Sequence, residues 1–219
     1  MDLQLFVTYG PLLLKGIGFT LYVCAGALLI AVLFGMLLCV LGQSSNWLLR
    51  AFYQLYITLF RGTPLLVQIY LVFYGGPFIG LEFSALQVGI GGLGLYSAAY
   101  FAEIFRSGFQ SLAPGQVEAA VDLGLTRWQT FVHIRLPQML AAVLPAMLNQ
   151  TMLLVKETSI LSVITVPEMT TSATKMSTET FSVVEPYLFL GLTYWLITYA
   201  LAQGARRLEN RLTAYVATR

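Results

Sequence analysis

The sequence predicts an all-α integral membrane protein with about five transmembrane helices, because its charged residues are few and widely spaced. Of its 219 residues, 58% are hydrophobic and 10% are charged, and the mean hydropathy is +0.76. Soluble globular chains are about 25% charged. Four stretches of 20 residues carry no charge, and a fifth uncharged stretch of 34 residues lies between Lys15 and Arg50. A helix needs about 20 apolar residues to cross the hydrocarbon core, so five such stretches predict five spans.

The spans define a single transmembrane domain over residues 1–219. We expect them near residues 16–42, 62–81, 83–103, 138–158 and 186–205. Together they occupy about half the chain, so no remaining segment reaches the roughly 50 residues of a separate soluble domain. A net charge of +2 is too small to favour nucleic acid as a partner. A lipid membrane is therefore the expected environment.

The distribution of basic residues predicts the orientation of the chain in the membrane. With the N-terminus outside, only Lys15 and Lys175 lie in outer segments. Nine basic residues then lie in inner segments: Arg50, Arg61, Arg106, Arg127, Arg135, Arg206, Arg207, Arg211 and Arg219. Basic residues accumulate on the cytoplasmic side of multi-pass proteins. We therefore expect an external N-terminus and a cytoplasmic C-terminus.

An amphipathic helix is predicted before the second span, over residues 50–61. Its polar residues, Arg50, Gln54, Thr58 and Arg61, recur at intervals of four, four and three and so form one stripe. We interpret it as an elbow helix along the inner leaflet. Pro64 then disfavours helix at the preceding residue and can open the second span.

Residues 107–137 form the only sizeable cytoplasmic piece, and the pattern within its finger, residues 114–137, predicts two short helices. The first covers 116–123 and ends at Gly124. The second begins at Thr126, where Gln129 completes a capping box. A solvated connector would carry fewer large apolar residues, so we expect another protein to cover this finger. The apolar residues are Val121, Leu123, Leu125, Trp128, Phe131 and Ile134.

The outer segment 165–185 is rich in Ser and Thr and carries four charged residues. It is predicted to be a polar loop with one short helix. Two interpretations remain open for it. It is either a solvated loop or a docking surface for an external partner.

The finger contains a motif with fixed spacing. Glu118-Ala119-Ala120 is followed after three residues by Gly124, and after nine more by Ile134 and Leu136-Pro137. This spacing resembles the EAA loop of bacterial ATP-binding-cassette (ABC) importer permeases. The stretches at 61–68, 100–106, 114–116 and 156–159 resemble the branch that imports polar amino acids such as histidine, glutamine, glutamate, arginine and opines. One position departs from it, since Glu157 stands where the family commonly has Asp.

The resemblance implies a membrane subunit that forms the translocation path for a polar amino acid. It implies a location in the bacterial cytoplasmic (inner) membrane, in contact with lipid. The protein partners it implies are an identical or homologous second permease subunit, cytoplasmic ATPase subunits, and a periplasmic or extracellular amino-acid-binding protein. The chain has no G-x-x-x-x-G-K-[ST] segment, so it is not expected to be an enzyme. ATP and Mg belong to the partner ATPase, and this chain is expected to bind no cofactor.

Within the finger, the candidate ATPase-docking residues are Glu118, Ala119, Ala120, Asp122 and Gly124. The small residues would let a partner approach the backbone, and the two acids would attract basic groups. The alternative is a helix packed on its own subunit. We expect Trp128 and Phe131 to pack internally.

Lys156 and Glu157 are the principal candidates for the substrate path. They follow 20 uncharged residues, and charges within spans mark pathways. Lys156 could pair with a substrate carboxylate and Glu157 with its ammonium group, although neighbouring residues on a helix point about 100° apart. A buried structural ion pair with other helices is the alternative.

Further path candidates are Thr158, Asn149 and Gln150, which could recognise the substrate side chain or bond between helices. Their neutrality favours an uncharged polar side chain, such as that of glutamine. The motif at 100–106 adds Tyr100 and Glu103.

Several of these candidates have alternative structural roles. Glu103 and Arg106, three residues apart, form either a simple ion pair or a gate or substrate contact. Arg61 either anchors the elbow to lipid phosphates or lines the path. His133 has no second candidate ligand, so no metal site is expected. Gly89, Gly91, Gly92 and Gly94 are expected to permit close packing of the third span.

A competing hypothesis is a small gradient-driven amino-acid carrier. It leaves the apolar finger unexplained, and inverted repeats are not evident in the sequence. A membrane enzyme using Ser159 and Lys156 as a nucleophile pair is formally possible. It has no supporting motif.

Overall fold

The computed structural model describes residues 3–217, and within this range the chain is helical with no strand. Arg219, counted above among the inner basic residues, lies outside the described residues. The α helices are α1 Leu3–Gly42, α2 Trp47–Gly62, α3 Leu65–Tyr70, α4 Ala85–Gln110, α5 Pro114–Asp122, α6 Arg127–Thr130, α7 Leu136–Glu157, α8 Met169–Thr180 and α9 Val184–Ala217. The predicted all-α membrane fold is confirmed.

Four helical segments of the described chain are long and apolar enough to cross a membrane. They are Val7–Gly42, Ala85–Gln110, Arg127–Ile164 and Val184–Arg207. They correspond to four of the five predicted spans, and each is longer than the span predicted for it. The third segment joins α6 to α7 through a π-helical turn, Phe131–Arg135, and continues α7 as a 3-10 turn, Thr158–Ile164.

The segment predicted as the second span, residues 62–81, changes helix type along its length. Helix α3 is followed by a π-helical turn, Leu71–Gly75, and a 3-10 turn, Gly76–Ile79. At 1.5 Å per residue the segment from Leu65 to Ile79 is about 22 Å long, less than the roughly 30 Å of the hydrocarbon core. It meets α2 at 103°, so a fifth span exists only if this bent pair is counted as one.

The sequence explains the start of this bent segment and not its end. Pro64 separates α2 from α3, as predicted, and the Thr63 backbone is extended (φ −123°, ψ 146°). Beyond Tyr70 the helix changes to π and then to 3-10 geometry, and it ends after Gly75, Gly76 and Pro77. The elbow itself is confirmed as a helix and begins three residues earlier than predicted, where the Asn46 side chain accepts a hydrogen bond from the Leu48 N–H.

Close contact between α1 and α4 forms the centre of the bundle. A Cβ atom added at Gly94 would lie 2.8 Å from Ile30 Cβ and 3.1 Å from the Ala27 carbonyl oxygen, so only glycine fits there. The close-packing role predicted for the glycines of this helix is confirmed at Gly94 and also at Gly89 and Gly92. It is wrong for Gly91, where an added Cβ would meet no atom within 4 Å.

The two short helices of the finger are confirmed. Helix α5 ends in a Schellman motif, in which the Leu125 N–H donates to the Ala120 carbonyl and the Gly124 N–H to the Val121 carbonyl. Gly124 accordingly has a φ of +74°. Thr126 caps α6 with the predicted reciprocal bonds to Gln129.

Helix α8 confirms the short helix predicted in the Ser/Thr-rich segment. The buried Glu168 carboxylate caps it and accepts hydrogen bonds from the Thr170 and Thr171 N–H groups at 2.8 and 2.7 Å. The Thr20 hydroxyl of α1 accepts a hydrogen bond from the Met169 N–H. These bonds fix the start of α8 against the bundle.

Candidate translocation path and docking finger

Helices α2, α4 and α7 enclose a polar hollow with a volume of about 320 Å³. Five of the residues predicted to line a substrate path lie together in its wall. They are Arg61, Tyr100, Glu103, Asn149 and Gln150, and the remaining wall is formed by Ile104, Ser107 and Ala146. The residues come from three segments separated by more than 30 positions. The fold therefore gathers them in a way that spacing alone does not show.

Glu103 is the centre of the charged cluster in this hollow. Its carboxylate accepts two hydrogen bonds from the Arg106 guanidinium, at 2.8 and 2.9 Å, and one from the Tyr53 hydroxyl. Arg61 lies 3.5 Å away on the other side. The ion pair predicted between Glu103 and Arg106 is confirmed. Bidentate geometry of this kind fixes both direction and distance.

Arg61 is turned toward α4. Its guanidinium lies 5.3 Å from the centroid of the Tyr100 ring, within cation–π range. The hydroxyls of Tyr100 and Tyr96 are 3.0 Å apart. Because Tyr96 and Tyr100 are four residues apart on one helix, they lie on the same face.

The other three predicted path residues, Lys156, Glu157 and Thr158, do not line this hollow, although Glu157 is within electrostatic range of Tyr96. Glu157 is half-buried, and its Oε2 atom is buried without a hydrogen-bond partner. Lys156 is exposed, and its ammonium group makes no ion pair with any described residue. The alternative of a structural ion pair is therefore not found for either residue in the described chain.

The neutral path candidates differ in accessibility. Asn149 is exposed in the hollow, whereas Gln150 is buried. Thr158 is fully buried, and its hydroxyl donates to the Val155 carbonyl at 2.7 Å and lies 3.2 Å from the Tyr194 hydroxyl. The Thr158 hydroxyl is therefore used in joining α7 to α9.

The finger presents most of its predicted docking residues outward. Glu118, Ala119, Asp122 and Gly124 are exposed, but Ala120 is 1% exposed and turns inward. Ala120 therefore packs the finger, because a residue without exposed surface cannot contact a partner directly. The internal packing predicted for Trp128 is wrong: this residue is 72% exposed.

Phe131 does pack internally, as predicted. Its ring stacks on that of Phe109, with centroids 6.1 Å apart, and Trp128 covers its other side at 5.9 Å. Val121 and Leu123 add further exposed apolar surface to the finger, and Leu123 is 80% exposed.

The expected lack of a metal site remains a prediction. No group of three or more His, Cys, Asp or Glu residues that could hold a metal occurs in the described part of the chain.

A helical membrane protein with a polar intramembrane face and an apolar finger at one end has the features of a transporter membrane subunit. Residues 27–214 match the family of binding-protein-dependent transport system inner membrane components, so this chain belongs to that family.

The chain resembles curated relatives over nearly its whole length. It is 38% identical to the probable amino-acid ABC transporter permease protein YckA of Bacillus subtilis, covering 94% of this chain and 91% of the relative. It is 37% identical to the octopine transport system permease protein OccM of Rhizobium meliloti, covering 87% and 82%. These matches confirm the resemblance to amino-acid ABC permeases.

Solved structures support the same assignment. A crystal structure of an amino acid ABC transporter with histidines superposes with a TM-score of 0.90 at 34% identity, covering 96% of this chain and 99% of that one. A structure of the MetNI methionine ABC transporter, at 17% identity and a TM-score of 0.79, shows the shared fold. The protein is thus a permease component of the amino-acid ABC importer family.

Proposed function

We propose that this chain forms, together with a second identical or homologous permease subunit, the membrane path for a polar amino acid. An external binding protein delivers the substrate, and a separate cytoplasmic ATPase supplies the energy. The observation that carries the proposal is the gathering of Arg61, Tyr100, Glu103, Asn149 and Gln150 around one hollow, with the buried, unpartnered Oε2 atom of Glu157 on the same helix as Asn149 and Gln150.

The charges suit the backbone of a free amino acid. Arg61 binds the α-carboxylate, because its guanidinium is held only loosely by Glu103 at 3.5 Å and retains free donors. Glu157 binds the α-ammonium group, which satisfies the unpartnered Oε2 atom.

The remaining polar residues are assigned by their position around this pair. Tyr100 and Glu103 shape the charged end of the hollow, and Asn149 and Gln150 offer neutral groups to the substrate side chain. Thr158 holds the end of α7 in place. Lys156, on the neighbouring face of α7, lines the path where the second subunit closes it. The neutral groups favour an uncharged polar side chain such as that of glutamine.

The finger is proposed to dock the ATPase, which carries the ATP and Mg. Exposed apolar side chains on a short cytoplasmic projection are unfavourable in water and are typical of a covered interface. Glu118 and Asp122 are four residues apart and present a negative face to basic groups on the ATPase. This assignment places the finger and the C-terminus in the cytoplasm and the N-terminus outside the inner membrane.

Uptake by charge-neutral variants tests the path. Arg61→Gln and Glu157→Gln each remove a charged hydrogen bond to the substrate, which contributes about 1.5–3 kcal/mol, so uptake should fall by about tenfold or more. Uptake is measured in vesicles with binding protein in excess, over neutral, basic and acidic amino acids. Recovery of the ATPase with each variant reports assembly separately.

Glu82→Gln is the matched control, because Glu82 is exposed before α4 and lies outside the hollow. It should transport normally. Normal uptake by both Arg61→Gln and Glu157→Gln would remove this pair from the path. A wild-type preference for basic or acidic substrates would contradict only the proposed side-chain class.

A further inference from the structure

A second cavity lies at the end of the bundle that carries the finger. Its volume is about 580 Å³, and it shares only Glu103 with the substrate hollow. Its wall is formed by the ends of α1 and α4, by α2, and by the π-helical turn before α7. Three residues of the predicted polar stripe of the elbow, Arg50, Gln54 and Thr58, line it. The elbow therefore turns its polar side into a cavity.

The cavity carries a surplus of positive charge. Arg50, Arg106 and Arg135 line it against one acid, Glu103, which leaves a net charge of two. Arg106 is already neutralised by its bidentate pair with Glu103. The guanidinium groups of Arg50 and Arg135 have no acidic partner among the described residues. The Nε atom of Arg135 is buried and lacks a hydrogen-bond partner, so the site offers donors that an anion would satisfy.

An apolar groove of about 460 Å³ adjoins this basic cavity. The two share Gln43, Phe109 and Arg135, so they form a continuous surface. The groove adds Met36, Val40 and Phe131, whose side chains offer hydrocarbon contact. A small inorganic anion would use only the basic cavity. A ligand with an anionic head and a hydrocarbon tail would use both.

We propose that an anionic phospholipid of the inner leaflet binds at this composite site. Its phosphate lies between Arg50 and Arg135, and one acyl chain lies along Met36, Val40 and Phe131. Basic pockets between transmembrane helices on the cytoplasmic side suit anionic headgroups, and planar guanidinium groups match phosphate oxygens in geometry. The inference rests on the orientation in the proposed function, which places this end of the bundle at the inner leaflet.

The test uses the full-length chain, purified with its accompanying subunits, in nanodiscs of phosphatidylcholine with added phosphatidylglycerol. Native mass spectrometry measures the phosphatidylglycerol retained after release. Arg50→Gln should reduce retention by about tenfold, since it removes one charge-assisted contact. Its guanidinium makes no hydrogen bond or ion pair with a described residue, so the variant should fold. Arg135→Gln should act in the same direction.

Arg127→Gln is the matched control. Like Arg50→Gln, it removes one positive charge at the end of the bundle that carries the finger, but Arg127 lines neither cavity. Retention of phosphatidylglycerol should therefore stay at the wild-type value. Val40→Thr, which makes the groove polar, should lower retention without changing the basic cavity. Equal retention in Arg50→Gln, Arg127→Gln and wild type would overturn the proposal.

A separate arm distinguishes lipid from free phosphate. Excess inorganic phosphate should leave the bound phosphatidylglycerol in place, because phosphate makes no contact with the groove. Displacement by phosphate would overturn the assignment to a lipid. Amino-acid uptake and ATPase recovery, measured on the same preparations, report the proposed function, so failure of one proposal is distinguishable from failure of the other.

Discussion

Replacing Gly94 by Ala should destabilise the bundle through overpacking between α1 and α4. The added Cβ would lie 2.8 Å from Ile30 Cβ, 2.9 Å from Ile30 Cγ2 and 3.1 Å from the Ala27 carbonyl oxygen. The last of these is a backbone atom, which cannot move by changing rotamer. Forcing an extra carbon into a packed site typically costs about 1–3 kcal/mol.

Gly91→Ala isolates this cost from the change in helix propensity. Gly91 lies in the same helix, and its added Cβ would meet nothing within 4 Å. Both substitutions gain about 1 kcal/mol of helix propensity, so this contribution cancels when the two variants are compared. We therefore expect Gly94→Ala to be less stable than Gly91→Ala by about 1–3 kcal/mol.

The assay is denaturant-induced unfolding of both purified variants and wild type in the same mixed micelles, followed by circular dichroism. The midpoints should rank Gly91→Ala at or above wild type and Gly94→Ala below it. Equal midpoints for the two variants would refute the close α1–α4 contact. A lower midpoint for Gly91→Ala would refute the open space assigned to that position.

Three further predictions concern the ends of the molecule. Reporter fusions after Gly115 should be cytoplasmic and fusions after Phe181 external, and either fusion on the opposite side would contradict the orientation. Trp128→Ala should reduce ATPase recovery by about tenfold or more, because exposed tryptophans commonly dominate interfaces. The control variant Arg50→Gln should recover the ATPase at the wild-type level. Wild-type recovery with Trp128→Ala would exclude Trp128 from docking. Burial raises the pKa of the Glu168 carboxyl, against the opposing backbone N–H bonds of Thr170 and Thr171. A folded-state pKa above the unfolded value of about 4.3 means that unfolding free energy falls as pH rises from about 4.3 through the raised value. The unfolding free energy of Glu168→Gln should not show this decrease with pH. An identical dependence of unfolding free energy on pH in Glu168→Gln and wild type would contradict the raised pKa of Glu168.

Hydropathy located the apolar segments but did not show where a helix bends or changes type. Uncharged stretches locate apolar segments whatever their backbone geometry, so they could not show that the chain leaves α-helical geometry after Tyr70. Pro64 gave a local steric signal for the start of that segment. The two glycines and the proline near its other end were the available signal for its interruption.

In the candidate path, too, contacts within one helix were predictable from the sequence, whereas contacts between helices were not. The pair Glu103–Arg106 was predictable because the residues are three positions apart on one helix. The contacts of Glu103 with Tyr53 and of Arg61 with Tyr100 join residues far apart in sequence. They depend on how α2 packs against α4, which spacing does not encode.

The adjacent charges at 156 and 157 illustrate a further limit. The sequence left open a role in the path or a structural ion pair, and helical geometry indicated that neighbouring residues point about 100° apart. The structure shows a difference in burial between them, which the sequence did not indicate: Glu157 is half-buried, whereas Lys156 is exposed. Trp128 was misassigned because an aromatic residue in a short amphipathic helix suits a core and an interface equally well.

The most direct test of the central claim is amino-acid uptake into proteoliposomes that contain this chain with its ATPase, supplied with the binding protein. The account predicts accumulation of a polar amino acid that requires ATP hydrolysis on the ATPase side and persists when ionophores collapse all ion gradients. Accumulation that is independent of ATP and abolished by those ionophores would contradict it, because it would identify a gradient-driven carrier.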